Sequence, residues 1–180
     1  RSQHTFRDDT LAIGPEFVAR KAAEFAQDNP DLEGKSVQDA FTYINSQMRK
    51  ANENTIRTVC LKTDPCKQWQ AEFLMMRNGA TRARFGDKRT YELNGVSVGG
   101  SLHQGVDLAS TSHAPVEASN GGAVTFAGDL GIYGNTVIID HGQGISSLYS
   151  HLSSFQVTEG QKVTRGQIIG STGSTGWAGG

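Results

Sequence analysis

The chain has 180 residues and a mass of 19.3 kDa, with 17 Lys and Arg against 18 Asp and Glu, for a formal net charge of −1. That length suits one ordinary domain or a small domain with an appendage, and the charge balance excludes a nucleic-acid binder, whose phosphate contacts need a basic surplus. No apolar run reaches the roughly 18 residues of a membrane-crossing helix.

Glycine divides the chain. Only Gly14 and Gly34 fall within residues 1–66, although the whole sequence holds 22. A helix-compatible region over 1–66 followed by a turn-rich region over 67–180 is therefore expected. The first helix opens at Pro15, whose missing N–H is no loss in a first turn. Phe17, Val18, Lys21, Ala22 and Phe25 recur at helical spacing, and Asn29-Pro30 ends the segment because a residue before proline leaves the helical region. Ser36 and Asp39 form an approximate capping box for a second helix. Val37, Ala40, Phe41, Ile44 and Met48 make its buried stripe, which continues towards Ile56. Cys60 and Cys66 are spaced to close a short disulfide loop in an oxidising compartment; two free thiols are the alternative.

Beyond residue 67 the sequence predicts short strands between glycine turns: Val106–Leu108, Ala123–Ala127, Thr136–Asp140 and Ile145–Tyr149. The nearly apolar Thr136-Val-Ile-Ile139 run predicts a central strand. Val157, Val163 and Ile169, alternating with Gly160 and Gly166, form a six-residue repeat whose apolar members pack inward. Many short strands without βαβ alternation predict a mainly β, antiparallel domain preceded by a small α-helical region.

Five histidines are candidates for chemistry: His4, His103, His113, His141 and His151. His4 sits in a terminal segment expected to fray and His113 in a polar loop. His141, at a strand-to-turn corner before Gly142, reads as structural. His103-Gln-Gly-Val-Asp107 places an imidazole and a carboxylate, both good zinc ligands, four residues apart. On a straight strand these lie about 13 Å apart at ~3.3 Å per residue, so a shared ion requires a bend, for which Gly105 is the expected residue. His151 follows the strand residues Leu148 and Tyr149, placing it to assist water or to stabilise an oxyanion.

His103-x-x-x-Asp107, Asn135-Thr-Val-Ile-Ile-Asp-His141-Gly142, Tyr149-Ser-His151-Leu-Ser and Gly170-Ser-Thr-Gly-Ser-Thr-Gly176 occur in this order. Together with Phe85-Gly-Asp-Lys-Arg89 they resemble the lysostaphin/LytM-type zinc endopeptidases, which cleave peptide bonds of bacterial peptidoglycan. The resemblance covers about residues 69–180. It implies an antiparallel β-sheet catalytic domain with a substrate groove, Zn2+ held by His103 and Asp107, His151 as the non-ligand catalytic histidine, and Tyr149 shaping the site. It further implies peptidoglycan stem peptides as substrate, a periplasmic or envelope location, and a cell-envelope protein partner. Members of the family carry a His-x-His pair after the Gly-Ser-Thr-Gly loop. The present chain opens at Arg1 and closes at Gly180 before that pair, so it reads as an excised piece, weak or inactive by itself. A catalytically degenerate cell-wall binder, or an activator of another hydrolase, is the competing reading. A biotinyl- or lipoyl-type carrier fits poorly, because Lys162 lies inside the repeat and no lysine occurs from Glu92 to Gln161.

Overall fold

The computed structural model describes residues 5–179, so His4 and both chain ends lie outside the described residues. The chain separates into two compact units, Arg1–Met48 with Ala80–Ala109, and Arg49–Gly79 with Ser110–Gly180. Strands and helices occur in the proportions of a mainly β protein with a helical region, as anticipated. Among the described residues, no helix is long and apolar enough to cross a membrane.

The first unit comprises β1 (Asp8–Ile13), α1 (Pro15–Ala26), α2 (Val37–Tyr43), β2 (Ala80–Ala83), β3 (Lys88–Leu93), β4 (Val96–Leu102) and β5 (Asp107–Ala109). Pro15 does open α1. Its predicted stripe is narrower than expected, however, with only Val18 and Lys21 fully buried. Lys21 survives burial because its ammonium reaches Glu24 at 2.9 Å. Ser36 caps α2, its hydroxyl accepting from the Asp39 amide at 3.1 Å. The Asp39 carboxylate accepts from the Ser36 hydroxyl at 2.6 Å, a contact that replaces the backbone arm of a full capping box. A π-helical turn, Ile44–Met48, follows α2 and interrupts the single helix that the sequence predicts.

Phe41 meets Tyr91 edge-on, with ring centroids 5.5 Å apart, which fastens α2 to the three-stranded sheet β1-β3-β4. Strands β3 and β4 form a hairpin turned by Asn94-Gly95, both residues in the left-handed region. Strand β1 runs parallel to β3, and the helical segment between them supplies the long connection that parallel pairing demands. Strands β2 and β5 make a separate antiparallel pair.

The second unit contains α3 (Arg49–Cys60), β6 (Pro115–Glu117), β7 (Gly122–Asp129), β8 (Asn135–Asp140), β9 (Ser146–Phe155), β10 (Lys162–Val163) and β11 (Ile168–Thr172). The six strands form one antiparallel sheet in the order β10-β7-β8-β9-β11-β6. Strand β8 lies between β7 and β9, and Val137, Ile138 and Ile139 are wholly buried, as their unbroken apolar run requires. Each such side chain contributes about 1.5–3 kcal/mol relative to exposure. Val157, Val163 and Ile169 of the six-residue repeat join Val124, Val137, Ile139 and Leu152 in one core.

Cys60 and Cys66 are both free thiols, so the disulfide read from their spacing is not formed. The Cys66 segment is fixed by other bonds: the Cys66 amide donates to Asp64 Oδ1 at 2.7 Å, and the Asp64 amide donates to Asp140 Oδ2 at 2.8 Å.

Candidate functional site

In the first unit, residues 85–89 organise the surroundings of His103. Gly86 adopts φ +87 in the turn before β3, a conformation that carries a steric cost for any residue with a Cβ. The His103 backbone is bonded on both sides to this turn. Its N–H donates to the Asp87 carbonyl at 2.8 Å, and its carbonyl accepts the Gly86 N–H at 2.8 Å. Asp87 is itself buried, and its carboxylate accepts the amides of Arg84 at 2.8 Å and Arg7 at 3.2 Å. The Arg84 amide bond holds the Asp87 carboxyl below the usual carboxylate range. The Arg7 amide and the charges of Arg7 and His103 act in the same sense, while burial opposes them.

The chain then bends at residues 103–106 and re-enters a strand at Asp107, which pairs with Ala83 of β2. This bend brings His103 Nε2 to 3.3 Å from Asp107 Oδ1, far closer than a straight strand permits. Gly105 is at the bend, yet its φ is not left-handed and a Cβ there would meet open space, so the turn does not depend on glycine in the way the sequence suggests. The other Asp107 oxygen, Oδ2, accepts from Arg89 of β3 at 2.5 Å. Nothing in one dimension connects Arg89 with Asp107; its place in the Phe85-Gly-Asp-Lys-Arg89 run is the available signal.

The donor set suits zinc in chemistry and spacing. Two ligands bound at ~2.0–2.1 Å with tetrahedral angles lie about 3.3 Å apart. Among the described residues, no group of three His, Cys, Asp or Glu side chains is placed to hold a metal.

His151 belongs to the second unit and lies within β9, not beyond a strand end as the sequence predicts. Opposite Thr136 the β9 strand carries two residues, Ser150 and His151, and this bulge puts His151 at φ +60. A non-glycine residue in that region persists only where its neighbours enforce it. The neighbour here is Thr175, whose carbonyl lies 2.8 Å from His151 Nδ1. Since a carbonyl only accepts, Nδ1 carries the proton. Thr175 is fixed in turn, its hydroxyl donating to the Leu152 carbonyl at 2.8 Å and accepting the Asn135 amide at 3.0 Å. The Gly170–Gly176 loop thus sets the tautomer of His151.

Tyr149 and His141 occupy the same unit. The Tyr149 hydroxyl accepts the Ser119 amide at 2.7 Å and bonds the Ser119 and Ser147 hydroxyls at 2.7 and 3.0 Å. His141 is wholly buried, with Nδ1 2.7 Å from the Gly121 carbonyl and Nε2 2.8 Å from Ser147 Oγ. Phe73 meets its ring edge-on at 4.9 Å. Its bonds reach across to Gly121 of the neighbouring segment, a structural role as anticipated. His113 is exposed at φ +58, with Nδ1 3.4 Å from Ser153 Oγ.

Residues 101–180 match the description of Peptidase family M23. That segment carries the chain's likeness to the M23 family. It is similar to the DD-carboxypeptidase/endopeptidase Mpg of Neisseria meningitidis serogroup B, at 49% identity over 75 residues, covering 42% of this chain and 17% of that protein. The murein hydrolase activator NlpD of Salmonella typhimurium is 38% identical over 91 residues, covering 50% of this chain and 24% of that protein. The chain therefore spans a quarter or less of either M23 relative. Among solved structures, a zinc-containing peptidase from Vibrio cholerae aligns at a TM-score of 0.53 and 30% identity, covering 62% of this chain and 35% of that one.

Proposed function

We propose that the chain is the catalytic part of a zinc-dependent endopeptidase that hydrolyses peptide cross-links of bacterial peptidoglycan in the periplasm or cell envelope, with the peptidase region beginning near residue 67. The observation that carries this reading is the 3.3 Å approach of His103 Nε2 to Asp107 Oδ1, an imidazole and a carboxylate converging as zinc ligands do. The peptidase names of M23 relatives support it.

His103 would hold the ion through Nε2 and Asp107 through Oδ1, the imidazole neutral and the carboxylate ionised. When bound, zinc polarises the scissile carbonyl and lowers the pKa of water towards ~7. The protein contributes a fixed base. With its proton held on Nδ1 by the Thr175 carbonyl, neutral His151 has Nε2 as its basic atom, and in this reading it would serve as the base for water. Tyr149, held by Ser119 and Ser147, shapes the site without binding metal. A catalytic zinc takes three protein ligands, of which His103 and Asp107 would supply two.

A second reading, in which the protein binds cell wall and activates another hydrolase through an envelope partner, is favoured by the similarity to NlpD. One experiment separates the two. The zinc-loaded whole protein should release stem-peptide fragments from purified sacculi, and His103→Ala or Asp107→Ala should abolish that release. Cleavage that survives both substitutions would remove the metallopeptidase reading. Stimulation of a second hydrolase without intrinsic cleavage would establish the activator.

A further inference from the structure

The 85–89 run touches both candidate ligands, and it does so differently for each. His103 is held through its backbone by Gly86 and Asp87, whereas Asp107 is held through its side chain by Arg89. We propose that Arg89 is a positioning residue for Asp107: by occupying Oδ2 it presents Oδ1 alone beside His103 Nε2, fixing a one-oxygen ligand. The proposal rests on the zinc reading above and goes beyond it.

Three observations carry it. The Arg89–Asp107 contact, at 2.5 Å, is charge-assisted, and Oδ1 is left facing the imidazole at 3.3 Å. The side chain of Asp107 is 47% exposed, so little else would stop its carboxylate rotating or offering both oxygens, while Arg89 is only 20% exposed and well anchored. Arg89 sits in the middle strand of its sheet, in register with Asp9 of β1 and Ser101 of β4, two residues before His103. Partners that orient a ligand in this way typically change metal affinity 10–100-fold when removed.

The sign of the effect is diagnostic. A guanidinium near a dication repels it, so an Arg89 acting only through its charge would weaken metal binding, and its removal would tighten it. A positioning Arg89 gives the opposite result.

The test is a cobalt(II) titration of the metal-free whole protein, read from the visible d–d absorption of the bound ion and not from hydrolysis. Arg89→Ala should weaken cobalt binding about 10–100-fold, and Arg89→Lys, which keeps the charge but loses the planar fork, should recover part of the loss. The metal-free thermal midpoint should hardly move, because a partly exposed ion pair adds little to stability. If Arg89→Ala melts early, Arg89→Gln replaces it in the same titration. Wild-type binding with equal or tighter binding by the variants overturns the positioning role while leaving the zinc reading in place. Absence of cobalt binding by the wild-type whole protein overturns the zinc reading and the positioning role together.

Discussion

His141→Ala should destabilise the second unit strongly without touching the candidate metal ligands. The imidazole is wholly buried and makes two hydrogen bonds, to the Gly121 carbonyl and to Ser147 Oγ. Each bond contributes about 1 kcal/mol net, and leaving the partly buried Gly121 carbonyl without its donor adds up to about 1–3 kcal/mol. Losing the edge-on contact with Phe73 and opening a ring-sized void bring the expected total to about 3–5 kcal/mol. For a chain of this length, 1 kcal/mol moves the midpoint by about 2–4 °C, so a fall of roughly 6–20 °C should appear in a circular dichroism melt. His141→Asn keeps a donor near the Nδ1 position and should lose about half as much. A His141→Ala chain melting within about 2 °C of wild type would refute the structural assignment. In the folded variants, cobalt affinity should equal that of wild type.

Stability towards acid should depend on Asp87. Its folded-state pKa is depressed, so its contribution is complete above the ordinary Asp value of about 3.9 and disappears as pH falls through the lower folded value; Glu24, depressed chiefly by its hydrogen bond to Lys21, acts in the same direction. Urea midpoints should therefore drop for wild type between about pH 4 and pH 2 and drop less for Asp87→Asn, and identical slopes for the two proteins would contradict this. Thiol titration of the native chain, prepared without reductant, should find two reactive cysteines, exposed Cys66 reacting faster than half-buried Cys60; no reactive thiol would contradict the free-cysteine structure.

What the sequence made legible was local. The β8 run announces a central strand because an unbroken apolar stretch has to be covered on both faces, and the Val157–Ile169 repeat announces its packing through spacing alone. Ser36 signals its helix start because the cap needs only a hydroxyl in reach of an amide three residues on. Strand β1 was hidden, since Asp8–Ile13 has no clean alternation and its partner β3 lies some eighty residues away. Strand β4 was hidden for a related reason: it is Gly-rich and exposed on most positions, so no buried face imposes a pattern.

At the candidate site, the residue types were readable and their geometry was not. The His103–Asp107 spacing invited a metal reading, yet the approach of the two side chains comes from a bend and from the clamp that Gly86 and Asp87 place on the His103 backbone. Arg89 could not be assigned to Asp107 from one dimension, because the contact spans a hairpin and a bend. His151 was recognised by its motif, while its left-handed backbone and the Thr175 carbonyl that fixes its tautomer emerge only once β8, β9 and the Gly170–Gly176 loop are assembled. The spacing of Cys60 and Cys66 was misleading, because closeness in sequence does not make side chains converge.

In the proposed site one divalent ion is gripped jointly by His103 and Asp107. The decisive measurement is X-ray absorption at the zinc edge of the loaded whole protein, compared with its His103→Ala and Asp107→Ala variants. Wild type should show an imidazole nitrogen and a carboxylate oxygen in a shell at about 2.0–2.2 Å, with each variant losing its own contribution and most of its bound zinc. An unchanged zinc content and an unchanged first shell in both variants would contradict the claim.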